Sequence, residues 1–227
     1  DATATLQARN YYFSRDFSDI VGPNQQSKAE EWAQGFILKV NSGFTQGQVG
    51  FGIDAIGMLG IKLDSGGGRV NTGLLPTGSD GKAQDDYSRL GAALKVRLSQ
   101  TELRIGELTP NLPVLAFSDI RLLPPTYQGA SIVSNEITGL TLQAGQLRSG
   151  SLLNEAGDGE MFAKLGSTPR LGGNRSSDRF HYAGAVYAFY DMRTSVGVWY
   201  AQLEDIYNQR FYSLKLCLPV GQWVFGA

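Results

Sequence analysis

The sequence predicts an all-β fold, a transmembrane antiparallel β-barrel, and three observations point to that class. Long segments alternate between apolar and polar residues with a period of two, as in a strand with two different faces. No run of about 18 to 20 apolar residues occurs, which excludes a transmembrane helix from the sequence. Short turns alternate with long polar links, the arrangement found at the two rims of membrane barrels. A closed barrel is the other structure that pairs every backbone group in lipid.

The clearest predicted strand is QVGFGIDAIGMLGIKL, residues 48–63. One face is apolar or small throughout, whereas the other mixes glycine with Gln48, Asp54 and Lys62. The segment is also long for a soluble strand, which usually has about 5 or 6 residues. We therefore predict that one face meets a membrane and the other an aqueous lumen.

Other segments repeat this alternation and place basic residues on one side. Arg9 and Arg15 share a face in ATLQARNYYFSRD, and Lys95 and Arg97 share a face in YSRLGAALKVRLS. EWAQGFILKVN alternates in the same way, and the later segments are noisier but similar. The pattern predicts about ten or eleven strands, joined by stretches rich in Gly, Asn, Asp, Ser and Pro.

Composition excludes several classes of function. Twenty basic and 21 acidic residues give a net charge of −1, so no global field recruits nucleic acid. The lone His181 and the lone Cys217 offer no internal disulfide and, without other ligands, no zinc site. We therefore predict that the protein binds no cofactor and no metal and is not an enzyme. The first residues, DATATLQARNYY, contain no signal peptide, so the protein is either cytosolic or has had one removed.

One link differs from the others. Residues 107–129, ELTPNLPVLAFSDIRLLPPTYQG, contain four prolines, the charged residues Asp119 and Arg121, and no clean alternation. Loops this long are usually functional or disordered. The apolar side chains of this link argue against disorder, because they need burial. A loop folded back inside a barrel provides that burial.

The segments RNYYFSRD, EEWAQGF, SGFTQGQVGFGIDAIGMLGIKLD, GLLP, DDYSRLGAALKVRLS, IRLLPPTYQG and LEDIYNQ resemble the OprD-type outer-membrane carboxylate channels of Gram-negative bacteria. The resemblance extends over nearly the whole chain. It implies an eighteen-stranded barrel whose third extracellular loop, here 107–129, folds inward and narrows the pore. It also implies a ladder of arginines and lysines on one lumen wall, an acidic pocket opposite, and passive diffusion of small carboxylate-bearing solutes.

The resemblance assigns roles to particular residues. Arg15 in YYFSRD matches a ladder arginine near the constriction, and Arg121 in SDIRLLP matches the arginine of the inward loop. A tyrosine that some members use at the narrowest point corresponds to Leu165. The whole predicted basic track, on this resemblance and on shared strand parity, is Arg9, Arg15, Lys95, Arg97, Arg104 and Arg121. The predicted constriction residues are Ser118, Asp119, Arg121 and Pro124.

The form KAEEWAQGF favours the branch of the family that handles aromatic or cyclic acids such as benzoate. A channel for basic amino acids, a soluble β-barrel or sandwich that binds a ligand, and a structural or adhesive outer-membrane protein stay open as alternatives. The implied location is the outer membrane, for a mature chain without its signal peptide. The implied partners are small carboxylates and outer-membrane lipid; a homotrimer is left open, and no nucleic acid is expected.

Two further expectations concern the edges and the membrane boundary. The 227 residues, 1–227, correspond to one partial barrel domain, an N-terminal portion that ends where the family's barrel is about half built. Unpaired strand edges cost several kcal/mol per group in lipid, so we expect that this portion alone does not insert as a stable monomer. Trp32, Trp199 and Tyr200 are expected to anchor the barrel at the membrane interface.

Overall fold

The computed structural model describes residues 1–18, 26–115, 119–151, 153–164, 170–189, 194–220 and 223–226. Within these ranges the chain consists of strands and their connections, without an α-helix. None of the described segments is a helix of the length and apolarity that crossing a membrane requires.

The described residues form thirteen strands, and eleven of these belong to one antiparallel sheet. Each strand of this sheet pairs with the next in the chain, in the order β1 to β7 and then β10 to β13, while β8 and β9 form a separate two-stranded hairpin. The strands are β1 (Thr3–Asp16), β2 (Lys28–Asn41), β3 (Val49–Ser65), β4 (Asp86–Leu98), β5 (Thr101–Leu108), β6 (Thr126–Ile137), β7 (Leu140–Ser151), β8 (Ala163–Lys164), β9 (Arg170–Leu171), β10 (Phe180–Ala188), β11 (Thr194–Leu203), β12 (Tyr207–Val220) and β13 (Trp223–Gly226). The predicted all-β antiparallel class is confirmed.

The two faces of the sheet differ as the alternation predicts. On β4 the outward leucines are exposed, and Leu90 is 88% exposed, whereas Ala93 and Lys95 on the inner face are buried. Keeping a large apolar side chain in water costs about 1.5–3 kcal/mol relative to its burial. The outward face is therefore suited to hydrocarbon. Other exposed apolar residues of this band are Leu6, Leu38, Phe51, Ile53, Ile105, Ile132, Leu142, Val198, Tyr212 and Leu214.

The connections at one end of the strands are mostly long, and those at the other end are short, so the sheet has two different rims. The long-loop rim has connections 17–27, 66–85, 109–125 and 152–179, and the short-turn rim has connections 42–48, 99–100, 138–139 and 189–193. The turn between β11 and β12, residues 204–206, is the exception, because it is short yet lies at the long-loop rim. In outer-membrane barrels the short turns face the periplasm and the long loops face outward. The sheet therefore has the polarity of an outer-membrane barrel wall.

The connection between β5 and β6, residues 109–125, packs its described parts, 109–115 and 119–125, against the inner face of the sheet, and we call it the inward loop. Its first part packs Leu112 and Val114 against one wall, formed mainly by β7, β10 and β11. Its last part packs Leu122 and Leu123 against the interior of β2, β3 and β4. Most of the described apolar residues of this loop are therefore buried, shared between two hydrophobic clusters, whereas Ile120 is exposed.

Large inner side chains lie flat over glycines of the neighbouring strand. The ring of Tyr182 covers Gly145, and the indole of Trp199 covers Gly184, where an added Cβ would overlap each ring. Trp199 is only 6% exposed and belongs to the interior cluster, so its predicted role as a membrane anchor is wrong. Glycine on the adjacent strand gives the indole room to lie inside the wall. Trp32 and Tyr200 are exposed on the outward face, as expected.

Candidate functional site

The predicted basic residues lie on the inner face of the sheet or on the inward loop. Arg9 and Arg15 pair in register with Gly35 and Ala29, which are buried on the inner face of β2. Lys95 pairs with Arg104, and Arg97 pairs with Glu102 on β5. Arg121 belongs to the inward loop. The alternation in the sequence placed these cations on one face of their strands, and in the structure that face points to the interior.

Arg9 fastens the inward loop to β1. Its Nη1 and Nη2 atoms donate to the two carboxylate oxygens of Asp119, at 2.5 and 2.7 Å. Nη1 also lies 3.4 Å from the carbonyl oxygen of Arg121 and 3.5 Å from that of Leu122. This forked, two-oxygen geometry is the strongest form of ion pair that arginine makes. Asp119 therefore neutralises Arg9, and the pair fixes the loop against the wall.

Two guanidinium groups lie over the ring of Phe13, which is on the inner face of β1. The Cζ atom of Arg15 lies 5.6 Å from the centre of the phenyl ring, and that of Arg121 lies 5.0 Å from it. Arg121 also donates from Nε to the Thr72 carbonyl at 3.1 Å and from Nη1 to the Ile120 carbonyl at 3.0 Å. Neither guanidinium forms an ion pair with a carboxylate among the residues that the structure describes. Two uncompensated positive charges thus face the interior beside the fastened loop.

The loop between β3 and β4, residues 66–85, packs against the inward loop at the long-loop rim. Leu74 is fully buried in the cluster that also holds the leucines of the inward loop. The hydroxyl of Thr72 donates to the buried carboxylate of Glu31, while its carbonyl accepts from Arg121. These bonds join three distant segments, so the position of Arg121 is fixed by both loops together.

The cations nearer the short-turn rim divide into paired and unpaired groups. Lys95 is 5% exposed and forms a 2.5 Å ion pair with Asp54, while its ammonium also donates to the Ser42 carbonyl at 2.7 Å. Arg104 pairs with Glu102 at 2.5 Å and lies 3.6 Å from Asp54. Both cations are neutralised by neighbouring carboxylates and brace the wall.

Arg97 belongs to the unpaired group. Its guanidinium stands over the ring of Phe44 with the Cζ atom 4.2 Å from the ring centre. Within the described part of the chain it has no carboxylate partner. Of the six predicted cations, Arg9, Lys95 and Arg104 are paired with carboxylates, whereas Arg15, Arg97 and Arg121 rest on phenylalanine rings without such a partner among the described residues. Lys95 has both kinds of contact, because its Nζ also lies 4.9 Å from the centre of the Phe44 ring.

The predicted constriction residues have different environments. Asp119 is exposed to the interior and forms the ion pair with Arg9, whereas Pro124 is fully buried. Ser118 lies outside the described residues, and so does Leu165, the position matched to a family tyrosine. Of this set, Asp119 and Arg121 are the members that the structure places at the interior surface.

A cavity of about 270 Å³ lies between the inward loop and the short-turn rim, and we call it the lower cavity. Its roof is the start of the inward loop, Thr109 to Asn111. Lys39 and Tyr182 line it and are not among the predicted site residues, although Lys39 shares strand parity with the inward-facing Ala33 and Ile37. That parity could have identified Lys39, whereas nothing local marks Tyr182.

A curved sheet with an apolar outer face, a charged inner face and a loop fastened across its interior defines the wall of an outer-membrane channel. A family model described as outer membrane porin, OprD family, matches residues 1–227, and the chain belongs to this family of Gram-negative outer-membrane proteins. Its members are porins and not enzymes, as predicted.

Comparisons with individual proteins agree. Porin-like protein GalP of Pseudomonas putida is 48% identical over 229 residues, which cover 100% of this chain and 53% of GalP. The crystal structure of a BenF-like porin from Pseudomonas fluorescens is 47% identical, with a TM-score of 0.90, over 100% of this chain and 56% of that one. Pseudomonas aeruginosa OpdK with vanillate is 47% identical, with a TM-score of 0.87, over 100% of this chain and 55% of that one. The chain thus spans about half the length of the relatives that it matches.

Proposed function

We propose that the chain forms the selective wall of a channel through which small carboxylate solutes diffuse across the outer membrane. The observation that carries this proposal is the pair of guanidinium groups, Arg15 and Arg121, held over the single ring of Phe13 without a described carboxylate partner. Two positive charges at one point of an aqueous interior attract an anion. Guanidinium presents a donor fork that matches a carboxylate in two parallel hydrogen bonds.

Passage requires that each contact be weak enough to break. Exposed ion pairs in water contribute about 0.2–1 kcal/mol each, so a solute can leave one arginine for the next without being trapped. Arg97, nearer the short-turn rim, offers the next unpaired guanidinium along the interior. The track therefore runs from Arg15 and Arg121 toward Arg97, and Arg9, Lys95 and Arg104 hold the wall and the loop around it.

The phenylalanine rings restrain these arginines without neutralising them. A cation over an aromatic face gains about 0.5–1 kcal/mol at exposed sites, enough to orient a guanidinium but not to remove its charge. A carboxylate partner would orient the arginine equally well and would cancel the attraction for the solute. This difference explains why cations resting on rings serve a track for anions.

The solutes that this proposal favours are aromatic or cyclic acids such as benzoate. The rings of Phe13 and Phe44 lie beside unpaired guanidinium groups, so an aromatic acid meets an apolar face and a cation together. The likeness to a BenF-like porin, and to a structure with vanillate, an aromatic carboxylate, supports the same solute class. The exposed apolar band of the outer face would contact outer-membrane lipid, and assembly as a homotrimer stays a prediction.

The test is uptake of benzoate into proteoliposomes that contain the full-length native protein. We expect Arg15→Gln and Arg121→Gln each to lower the initial rate about two- to fivefold, the loss of one screened ion pair. Arg175→Gln, which removes the same charge from an exposed position in the 152–179 loop, is the matched control and should leave the rate unchanged. Equal rates in all three variants would remove Arg15 and Arg121 from the track.

A further inference from the structure

The outer face of the sheet changes from apolar to polar along β7, β10, β11 and β12. One row of register partners across these strands is apolar or aromatic, Leu142, Ala185, Val198 and Tyr212. A second row, closer to the long-loop rim, is polar throughout, Gln146, His181, Gln202 and Asn208. Membrane barrels have an apolar band bounded by interfacial residues. The change between the two rows therefore marks the level at which hydrocarbon meets lipid head groups.

Three exposed arginines lie on the outer face at this level, and we call them the arginine patch: Arg148, Arg179 and Arg210. The first two are next to Leu147 and Phe180, which are buried in an interior cluster. Successive side chains of a strand point to opposite faces, so both arginines point outward. The third pairs in register with the exposed Tyr200 of the outer face.

Most of the positive charge of the arginine patch is not neutralised. Arg148 and Arg210 form no ion pair within the ranges that the structure describes. The guanidinium of Arg179 lies 3.3 Å from the Glu204 carboxylate and 3.8 Å from that of Asp178. Arg148 also faces Arg179 across β7 and β10, one residue beyond the last register pair. Like charges directly opposite on neighbouring strands are destabilising, and an anion between them would relieve the repulsion.

Cations near the same rim of β2 have a different environment. The carboxylate of Glu30 lies 3.0 Å from the ammonium of Lys28 and 2.9 Å from the guanidinium of Arg69. Both cations are therefore paired. Uncompensated positive charge is thus a feature of the β7 to β12 side and is not shared by this part of the long-loop rim.

A shallow groove of about 620 Å³ lies on the outer face, on the short-turn side of Arg210. Ala185 is the small residue among the large side chains that line it, Leu140, Tyr187, Val196, Val198, Tyr212 and Leu214. Tyr212 and Leu214 are two and four residues from Arg210, which is about 7 and 13 Å along the strand. A molecule with an anionic head and an apolar chain can therefore contact the arginines and the groove together.

We propose that this outer face binds a phosphorylated lipid of the outer leaflet, with its phosphates at the arginine patch and an acyl chain in the groove. Guanidinium forms paired, charge-assisted hydrogen bonds with phosphate. The arginines are closer to the outward-facing long-loop rim, and the groove lies toward the bilayer interior. This is the orientation of an outer-leaflet lipid. The proposal goes beyond the solute pathway, because the interior arginines play no part in it.

The experiment measures lipid binding by the full-length protein in a non-ionic detergent. Fluorescently labelled protein is titrated with diphosphoryl lipid A, and dissociation constants are obtained by thermophoresis. Phosphatidylethanolamine and inorganic phosphate are the comparison ligands. The variants are Arg148→Gln, Arg210→Gln and Ala185→Leu. Lys28→Gln removes a paired cation near the same rim, and Ala92→Leu adds the same bulk to the exposed outer face of β4, so these are the matched controls.

We expect each arginine variant to weaken lipid A binding about fivefold, the effect of one basic residue near an anionic lipid surface. Ala185→Leu should weaken it about tenfold, because the added side chain displaces about two buried methylene groups of the acyl chain. Both controls should bind as the unaltered protein does. Inorganic phosphate should not displace lipid A, and phosphatidylethanolamine should bind more weakly than lipid A.

Four results would overturn the proposal. These are unchanged lipid A affinity in both arginine variants, unchanged affinity in Ala185→Leu, displacement of lipid A by inorganic phosphate, or equal affinity for phosphatidylethanolamine. A changed oligomeric mass with unchanged lipid A affinity would assign the face to contacts between copies of the protein. Benzoate uptake by these variants should equal that of the unaltered protein, which confirms folding. Failure of the interior track would appear separately, as unchanged uptake in Arg15→Gln.

Discussion

The guanidinium of Arg9 and the carboxylate of Asp119, 110 residues apart in the sequence, form a two-oxygen ion pair that fastens the inward loop to β1. The pair is partly exposed to the interior, more so at Asp119 than at Arg9. Its two charges cancel, and the carbonyl contacts of Arg9 to the loop backbone add to the attachment. The pair is therefore one of the attachments that set the position of the loop, together with the packing of Leu122 and Leu123 in the interior.

The first prediction separates the two partners of this pair. Both Arg9→Gln and Asp119→Asn should raise single-channel conductance of the full-length protein, because either change removes the ion pair that holds this part of the loop against β1. Their effects on ion selectivity should be opposite, since Asp119→Asn leaves a free guanidinium and Arg9→Gln leaves a free carboxylate. Reversal potentials in a salt gradient measure this difference.

The control for that experiment is an ion pair at the long-loop rim. Lys62 donates to Asp85, and this hydrogen bond lowers the pKa of the exposed Asp85 carboxyl below its usual value. Asp85→Asn removes a rim pair without touching the inward loop, so conductance should not change. A shift of selectivity in the same direction for both Arg9→Gln and Asp119→Asn would contradict the assignment.

The second prediction concerns Phe13. Replacing it with leucine keeps both arginines but removes the ring that orients them. We expect benzoate uptake to fall about two- to fivefold, the equivalent of one exposed cation–π contact. Phe13→Tyr retains the aromatic face and should behave as the unaltered protein in the same proteoliposome assay. If leucine and tyrosine give identical rates, the ring plays no part in positioning the guanidinium groups.

The third prediction distinguishes a structural cation from a track cation. Lys95 is buried and paired with Asp54, and removal of one partner from a buried pair costs about 3–5 kcal/mol. Lys95→Met should therefore lower the free energy of unfolding of the full-length protein, measured by urea titration in lipid vesicles, by about 3 kcal/mol. Benzoate uptake per folded channel should stay constant. Arg97→Gln serves as the comparison, with unchanged stability and reduced uptake.

The fourth prediction tests the environment of the outer face. Leu90 lies near the middle of β4 and points away from the protein, so Leu90→Arg should destabilise insertion into vesicles by about 2–4 kcal/mol if it lies near the bilayer midplane. Ser79→Arg introduces the same side chain at an exposed position in the 66–85 loop and should be neutral. A soluble barrel would tolerate both changes equally, and that outcome would show that the outer face does not contact lipid.

Much of the fold and part of the site could be predicted because a strand has an exact side-chain period. Alternation assigned Arg9, Arg15, Lys95 and Arg97 to one face, and the structure has all four on the interior. The prediction for Trp199 was wrong because it did not follow this rule: Trp199 and Tyr200 are adjacent and so point to opposite faces, and the exposed Val196, Val198 and Tyr200 mark the outer one. What the local pattern does not contain is the room for the inward indole, which Gly184 of the neighbouring strand leaves open.

The sequence by itself determined the strand alternation, the two rims and the inner position of the cations, because each follows from local periodicity and chain composition. Only the tertiary structure decided which cations are available to a solute. The folded inward loop brings Asp119 to Arg9. The ring of Phe13 contacts Arg15 of its own strand and Arg121 of the inward loop. Charge is a property of a residue, but whether a charge is neutralised depends on partners that folding brings within a few ångströms.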